Sequence, residues 1–207
     1  MDSGITVTGA GSAEAPADLL RITLGVGHET ADVANAIDHV GVKTAAVIAA
    51  LRAMGVEEGD IHTTGVHVFP VYEMEPARVG SYRASHSISV ATKDLDGFGR
   101  LLTAAVDAAG NDLTVDQVGF DVADKSELVV QAREAAFGDA RERADHLARL
   151  AGRELGRLES VEESPLHGPI GVPLSMSRKA GGVPLSFGVE AGRQSVEVAL
   201  TVRWSWA

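Results

Sequence analysis

Two hydrophobic periods alternate along this chain and predict its elements in turn. Residues 5–11 alternate well enough for a first strand, closed by the turn-like GAGSAEAPAD at 9–18. Leu20, Ile22, Leu24 and Val26 then alternate with Arg21 and Thr23, the pattern of a half-buried strand. From Val33 the period changes to that of a helix, through Ile37, Val40, Thr44, Val47, Leu51 and Met54. Thr30 is the expected N-cap, with Asp32 in the first turn, and Gly55 ends the run. Residues 61–72 and 82–92 read as a hairpin joined by the loop EMEPARVGS. A shorter helix, capped by Asp94 and carrying Leu95, Phe98, Leu102 and Val106, stops at Gly110, and residues 113–122 form a further strand.

The longest periodic stretch is 124–152. Leu128, Ala132, Ala136, Ala140, Ala144, Leu147 and Ala151 share one helical face, and that face is mostly alanine. Asp124 with Glu127 reads as a capping box, and Asp139/Arg143 and Asp145/Arg149 as pairs one turn apart. A stripe this smooth lets the helix lie close to a neighbour, either its own sheet or another subunit; its own sheet is the favoured reading. Strands at 155–163 and 195–206 complete the chain, the last with Val196, Val198, Leu200, Val202, Trp204 and Trp206 on one face that something must cover.

The fold class this predicts is α+β, an antiparallel sheet packed by two long helices and one shorter helix. Strand, helix, strand and strand recur at 19–92 and 113–206, which suggests two β-α-β-β units within a single domain, 1–207. Residues 165–192 hold many prolines and glycines with little periodicity and read as a mobile loop.

Charge and composition narrow the function. A net charge of −11 over 207 residues, with no basic cluster, excludes nucleic acid as a partner and disfavours anionic membrane surfaces. Cysteine is absent, so disulfides, thiolate metal sites and thiol catalysis are excluded. The first residues lack the basic and apolar regions of a signal peptide, and the chain as given is expected to be cytoplasmic; a form whose leader had been removed would be periplasmic or secreted. No apolar run approaches the roughly 20 residues that a membrane-spanning helix needs.

Candidate chemistry is sparse. Gly9–Ala10–Gly11 lacks the third glycine and the following helix of a dinucleotide loop. His62 and His67 are expected on opposite faces of a strand, and His86 as a half-buried, hydrogen-bonded histidine. Glu57, Glu58 and Asp60, or Glu159, Glu162 and Glu163, could at most hold a hard cation weakly. No catalytic, cofactor-binding or metal-ligating residue is assigned, and no cofactor is expected.

The ordered motifs resemble the SIMPL-domain family, of the periplasmic immunogenic and oxidative-stress-defence type. Those motifs are ITVTGAGSAEAPAD at 5–18, GVG at 25–27, ALRAMGVEEGDIHTTGVHVFPVY at 50–72, KDLDGFGRLL at 93–102 and VGFDVAD at 118–124. The helical run 131–156, SVEES at 160–164 and AGRQSVEVALTV at 191–202 complete the set. The resemblance implies long helices on antiparallel sheet, assembly into a ring or channel-like homo-oligomer, and protection against oxidative stress, with no established catalytic residues. The expected function is therefore a non-enzymatic, self-assembling stress-defence protein. The alternative is a small-ligand carrier that uses 165–192 as a lid.

Overall fold

The computed structural model of the chain describes residues 4–74, 77–164 and 191–207. In order the elements are β1 (Gly4–Pro16), β2 (Leu19–Thr30), α1 (Val33–Ala53), β3 (Ile61–Met74) and β4 (Ala77–Thr92). There follow α2 (Phe98–Ala109), β5 (Leu113–Asp121), α3 (Ser126–Leu150), β6 (Leu155–Ser164) and β7 (Arg193–Trp206). The fold is α+β, with two antiparallel sheets ordered β3-β4-β2-β5 and β1-β7-β6. It divides into two compact units, one of residues 17–121 with 191–192, the other of 4–16, 122–164 and 193–207. The remainder of the 165–192 segment, and with it the proposed lid, lies outside the described residues.

In the four-stranded unit, Leu20, Ile22, Leu24 and Val26 of β2 join Ile88 and Val90 of β4 in a core closed by α1 and α2. Each such side chain, fully buried, contributes about 1.5–3 kcal/mol before chain entropy is subtracted. Helix α1 buries Ala36, Val40, Thr44, Val47 and Leu51, whereas Val33, Ile37 and Met54 of the expected face are exposed. Its N-cap is Asp32 and not Thr30, because β2 runs on to Thr30, which pairs with Tyr82. The Asp32 carboxylate accepts the Asn35 amide at 3.0 Å. Helix α2 likewise buries Leu101, Ala105 and Ala109, leaving Val106 exposed.

Two expectations about strands change here. The β3–β4 hairpin extends to Met74 and Ala77, so most of the predicted loop is strand. Strand β5 pairs with β2, placing Leu113, Val118 and Phe120 against the core of this sheet. The order strand, helix, strand, strand does recur, yet the first strand of the second set belongs to the first sheet.

In the three-stranded unit α3 lies on β1 and β7. Ala132, Ala136, Ala140 and Ala144 pack against Val7, Val198, Leu200, Val202 and Trp204, so the alanine stripe covers its own sheet. The stripe steps strictly by four to Ala148, which leaves Leu147 exposed. The capping box does not form: α3 starts at Ser126, whose amide donates to Asp124 at 2.9 Å. Asp139 pairs with Arg143 at 2.9 Å, but Asp145 pairs with Arg141 at 3.6 Å and not with Arg149.

Nor does β1 turn at GAG. It stays paired with β7 as far as Pro16, and its in-out alternation continues through Gly9, Gly11, Ala13 and Ala15. A Cβ at Gly9 would strike the backbone of Ala136 and Ala140, and one at Gly11 that of Ala132 and Ala136. The two glycines mark the closest approach of strand and helix, and Pro16 is tolerated at the end of an edge strand.

Candidate functional site

The one convergence of metal-ligating side chains among the described residues is built around the β2–α1 turn. His28 is the last inward-facing position but one of β2, in line with the buried Leu24 and Val26. His39 lies one position before the buried Val40, in the second turn of α1. Asp112 ends a 3-10 turn, Gly110–Asp112, just before Leu113, which pairs with Val26. Strand register therefore brings Asp112 beside the end of β2, and helix phase brings His39 over it.

His28 Nδ1 lies 3.1 Å from Asp112 Oδ1, and His39 Nε2 lies 2.6 Å from Oδ2. The imidazoles stack with centroids 3.8 Å apart and planes 20° from parallel. Hydrogen bonding from His39, with a smaller contribution from His28, holds the Asp112 carboxyl below its ordinary value against the opposing effect of burial. Asp112 is thus a carboxylate at neutral pH and can only accept, so each ring donates through the nitrogen facing it. The side chains are 33%, 37% and 22% exposed for His28, His39 and Asp112, enough for solvent ions to reach them.

Two clefts flank the cluster. One of about 390 Å³ is lined by His28, His39, Asn35, Asp38 and Lys43. The other, about 520 Å³, is lined by His28, Asp112, Glu29, Arg83, Thr114 and Asp116. At its rim Glu29 accepts from Ser81 and from Arg83 Nη2 at 2.7 Å, and these bonds, that from Ser81 foremost, lower its pKa.

The residues weighed from sequence fall elsewhere. The β3–β4 register shifts between Thr63 and Gly65, so His62 and His67 oppose Ser89 and Ser85 and share one face instead of two. Four residues of strand separate their partners, about 13 Å, too far for one ion. His86 is half-buried and bonds to Thr63 Oγ1 at 2.9 Å. Glu58 pairs with Arg52, Glu159 with Arg203, and Glu163 with Arg133. Nothing in the sequence singles out His28, His39 and Asp112, because Asp112 is 84 residues from one and 73 from the other. The faint signal was a histidine continuing the apolar face of β2.

Residues 5–204 match the SIMPL family, described as proteins of unknown function, and the chain belongs to it. It is similar to the 26 kDa periplasmic immunogenic protein of Brucella melitensis, at 26% identity over 96% of this chain and 82% of that protein. It is also similar to the uncharacterized protein YggE of Edwardsiella ictaluri, 28% identical over 76% of this chain and 66% of the relative. YggE of Escherichia coli K12 is 27% identical over 76% and 64%. Among the described residues no helix is long and apolar enough to cross a membrane.

Proposed function

We propose that this SIMPL protein is a non-enzymatic, self-assembling protein of the cell envelope whose β3–β4 hairpin joins copies of the chain. The observation that carries the reading is the apolar exposure of that hairpin. Val66, Phe69 and Tyr72 are 61%, 54% and 66% exposed. Beyond Tyr82, β4 has lost its β2 partner, so the tip is a two-stranded arm, marginal by itself in water. Val66 and Val68 oppose His86 and Ala84 on one face, while Phe69 opposes Arg83 on the other. Among the described residues strand β3 is also a sheet edge, with no strand beside its outer side. An antiparallel edge is self-complementary about a twofold axis, so a second copy satisfies it without any new surface.

The periplasmic relative supports an envelope location, and the family resemblance supports a part in stress defence. Light scattering after gel filtration, at tens of micromolar, tests the assembly. The intact chain should elute as a multiple of 21.5 kDa, and the double variant Phe69→Glu, Tyr72→Glu as a monomer of normal far-UV dichroism. A monomeric intact chain overturns the proposal. Survival of a deletion strain under peroxide, equal to its parent's, would remove the stress-defence part alone.

A further inference from the structure

We propose that His28, His39 and Asp112 bind a borderline divalent transition-metal ion of the Zn²⁺, Ni²⁺ and Cu²⁺ class. One donor atom from each of the three lies within 4.8 Å of the other two. Two imidazoles and a carboxylate suit such ions and not Mg²⁺ or Ca²⁺, which take oxygen donors. Bonds of about 2.0–2.2 Å place the ligands of a tetrahedral ion about 3.3–3.5 Å apart. His28 Nδ1 stands 3.1 Å from Asp112 Oδ1, already close to that, and His39 Nε2 stands 2.6 Å from the other oxygen, Oδ2, so a small turn of the carboxylate and a small opening of the His39 contact admit the ion.

The donors come from a strand, a helix and a turn, so no single flexible segment sets the geometry. Each ring now turns a protonated nitrogen toward Asp112. On binding, that proton moves to the opposite nitrogen of the same ring, and the vacated lone pair takes the ion. The carboxylate, already ionised, supplies the negative charge. Three protein ligands leave the remaining positions open to the flanking clefts, the arrangement of a site that exchanges its ion or holds a water.

The rival reading is a hydrogen-bonded strut that ties β2 to α1 and takes up no ion. Calorimetric titration of the untagged chain with Zn²⁺ separates the two. The expected result is one saturable equivalent, with affinity lowered about 100-fold or more in His28→Gln and in His39→Gln, since outer-sphere partners alone change metal affinity by about 10–100-fold. His62→Gln and His67→Gln should bind like the parent. Asp112→Asn, which preserves shape, should weaken binding while leaving the far-UV dichroism unchanged. Paramagnetic resonance of the Cu²⁺-loaded parent should show two equatorial imidazole nitrogens, a readout that needs no variant. No saturable uptake by the parent, equal uptake by the His39→Gln variant, or a copper spectrum without imidazole nitrogens overturns the assignment.

Discussion

Asp139 of α3 accepts the backbone amide of Ala10 in β1 at 2.8 Å. Strand β1 is an edge, and this carboxylate satisfies a donor on its unpaired side. Arg143 completes the arrangement, reaching Asp139 at 2.9 Å and the carbonyl of Thr8 at 3.2 Å. The same helix that fills the unit's core with alanine thus also finishes the sheet's hydrogen bonding.

This contact makes stability sensitive to acid. The Ala10 amide, and after it Arg143, hold the Asp139 carboxyl below its ordinary value. A depressed folded-state pKa contributes stability that is complete above the unfolded value, about 3.9, and is lost as pH falls through the folded value. Asp139→Asn should therefore be less stable than the parent at pH 7, with the difference shrinking below about pH 4. Urea denaturation at pH 7 and pH 3 measures both, and a gap that widens in acid contradicts the account.

Glycine substitutions should divide by location. At Gly9 an added methyl meets α3 backbone, which cannot move aside without parting helix from sheet, so Gly9→Ala should cost about 1–3 kcal/mol or more. Gly41 in α1 and Gly138 in α3 face open space. Replacing either with alanine should stabilise by about 0.5–1 kcal/mol, because a helix interior gains from the less flexible residue. Chemical denaturation of the three variants gives the signs directly.

Thr44 is 2% exposed on the buried face of α1, and its hydroxyl has no hydrogen-bond partner among the described residues. An orphaned polar group of this kind costs about 1–3 kcal/mol, whereas an apolar isostere restores the contact without the penalty. Thr44→Val is expected to raise the urea midpoint with an unchanged slope. Thr44→Ser, which keeps the hydroxyl and loses a methyl, should lower it.

Trp204 is almost wholly buried beside Phe137, their ring centroids 6.2 Å apart. Trp204→Ala should remove about 3–5 kcal/mol by leaving a cavity under α3. Both tryptophans lie in β7, so intrinsic fluorescence reports the three-stranded unit, and the variant should lose the blue-shifted component of the emission.

Much of this architecture was legible as hydrophobic period. The alanine stripe of α3 and the alternation in β7 announced a helix on a sheet before either had a partner. A period of two tells which face of a strand is buried but not which strand lies beside it, and so the sequence pattern sets β5 with α3 when its partner is β2. GAG in β1 reads as a turn because glycine breaks local patterns, whereas its place here is set by a helix more than a hundred residues later. The His28–His39–Asp112 cluster had no legible spacing at all. It exists only once strand register and helix phase are fixed.

The pairing of β1 with β7 has a consequence in time. As the chain emerges N-terminal end first, everything the four-stranded sheet needs from β2 to β5 is out once residue 121 has appeared, so its strands and helices can pair early. Strand β1, made first, has no partner until β7 follows at 193–206. Until β7 appears, the glycine-lined inner face of β1 waits as a solitary ribbon, and closing the long stretch of chain between these two strands becomes the late event of folding.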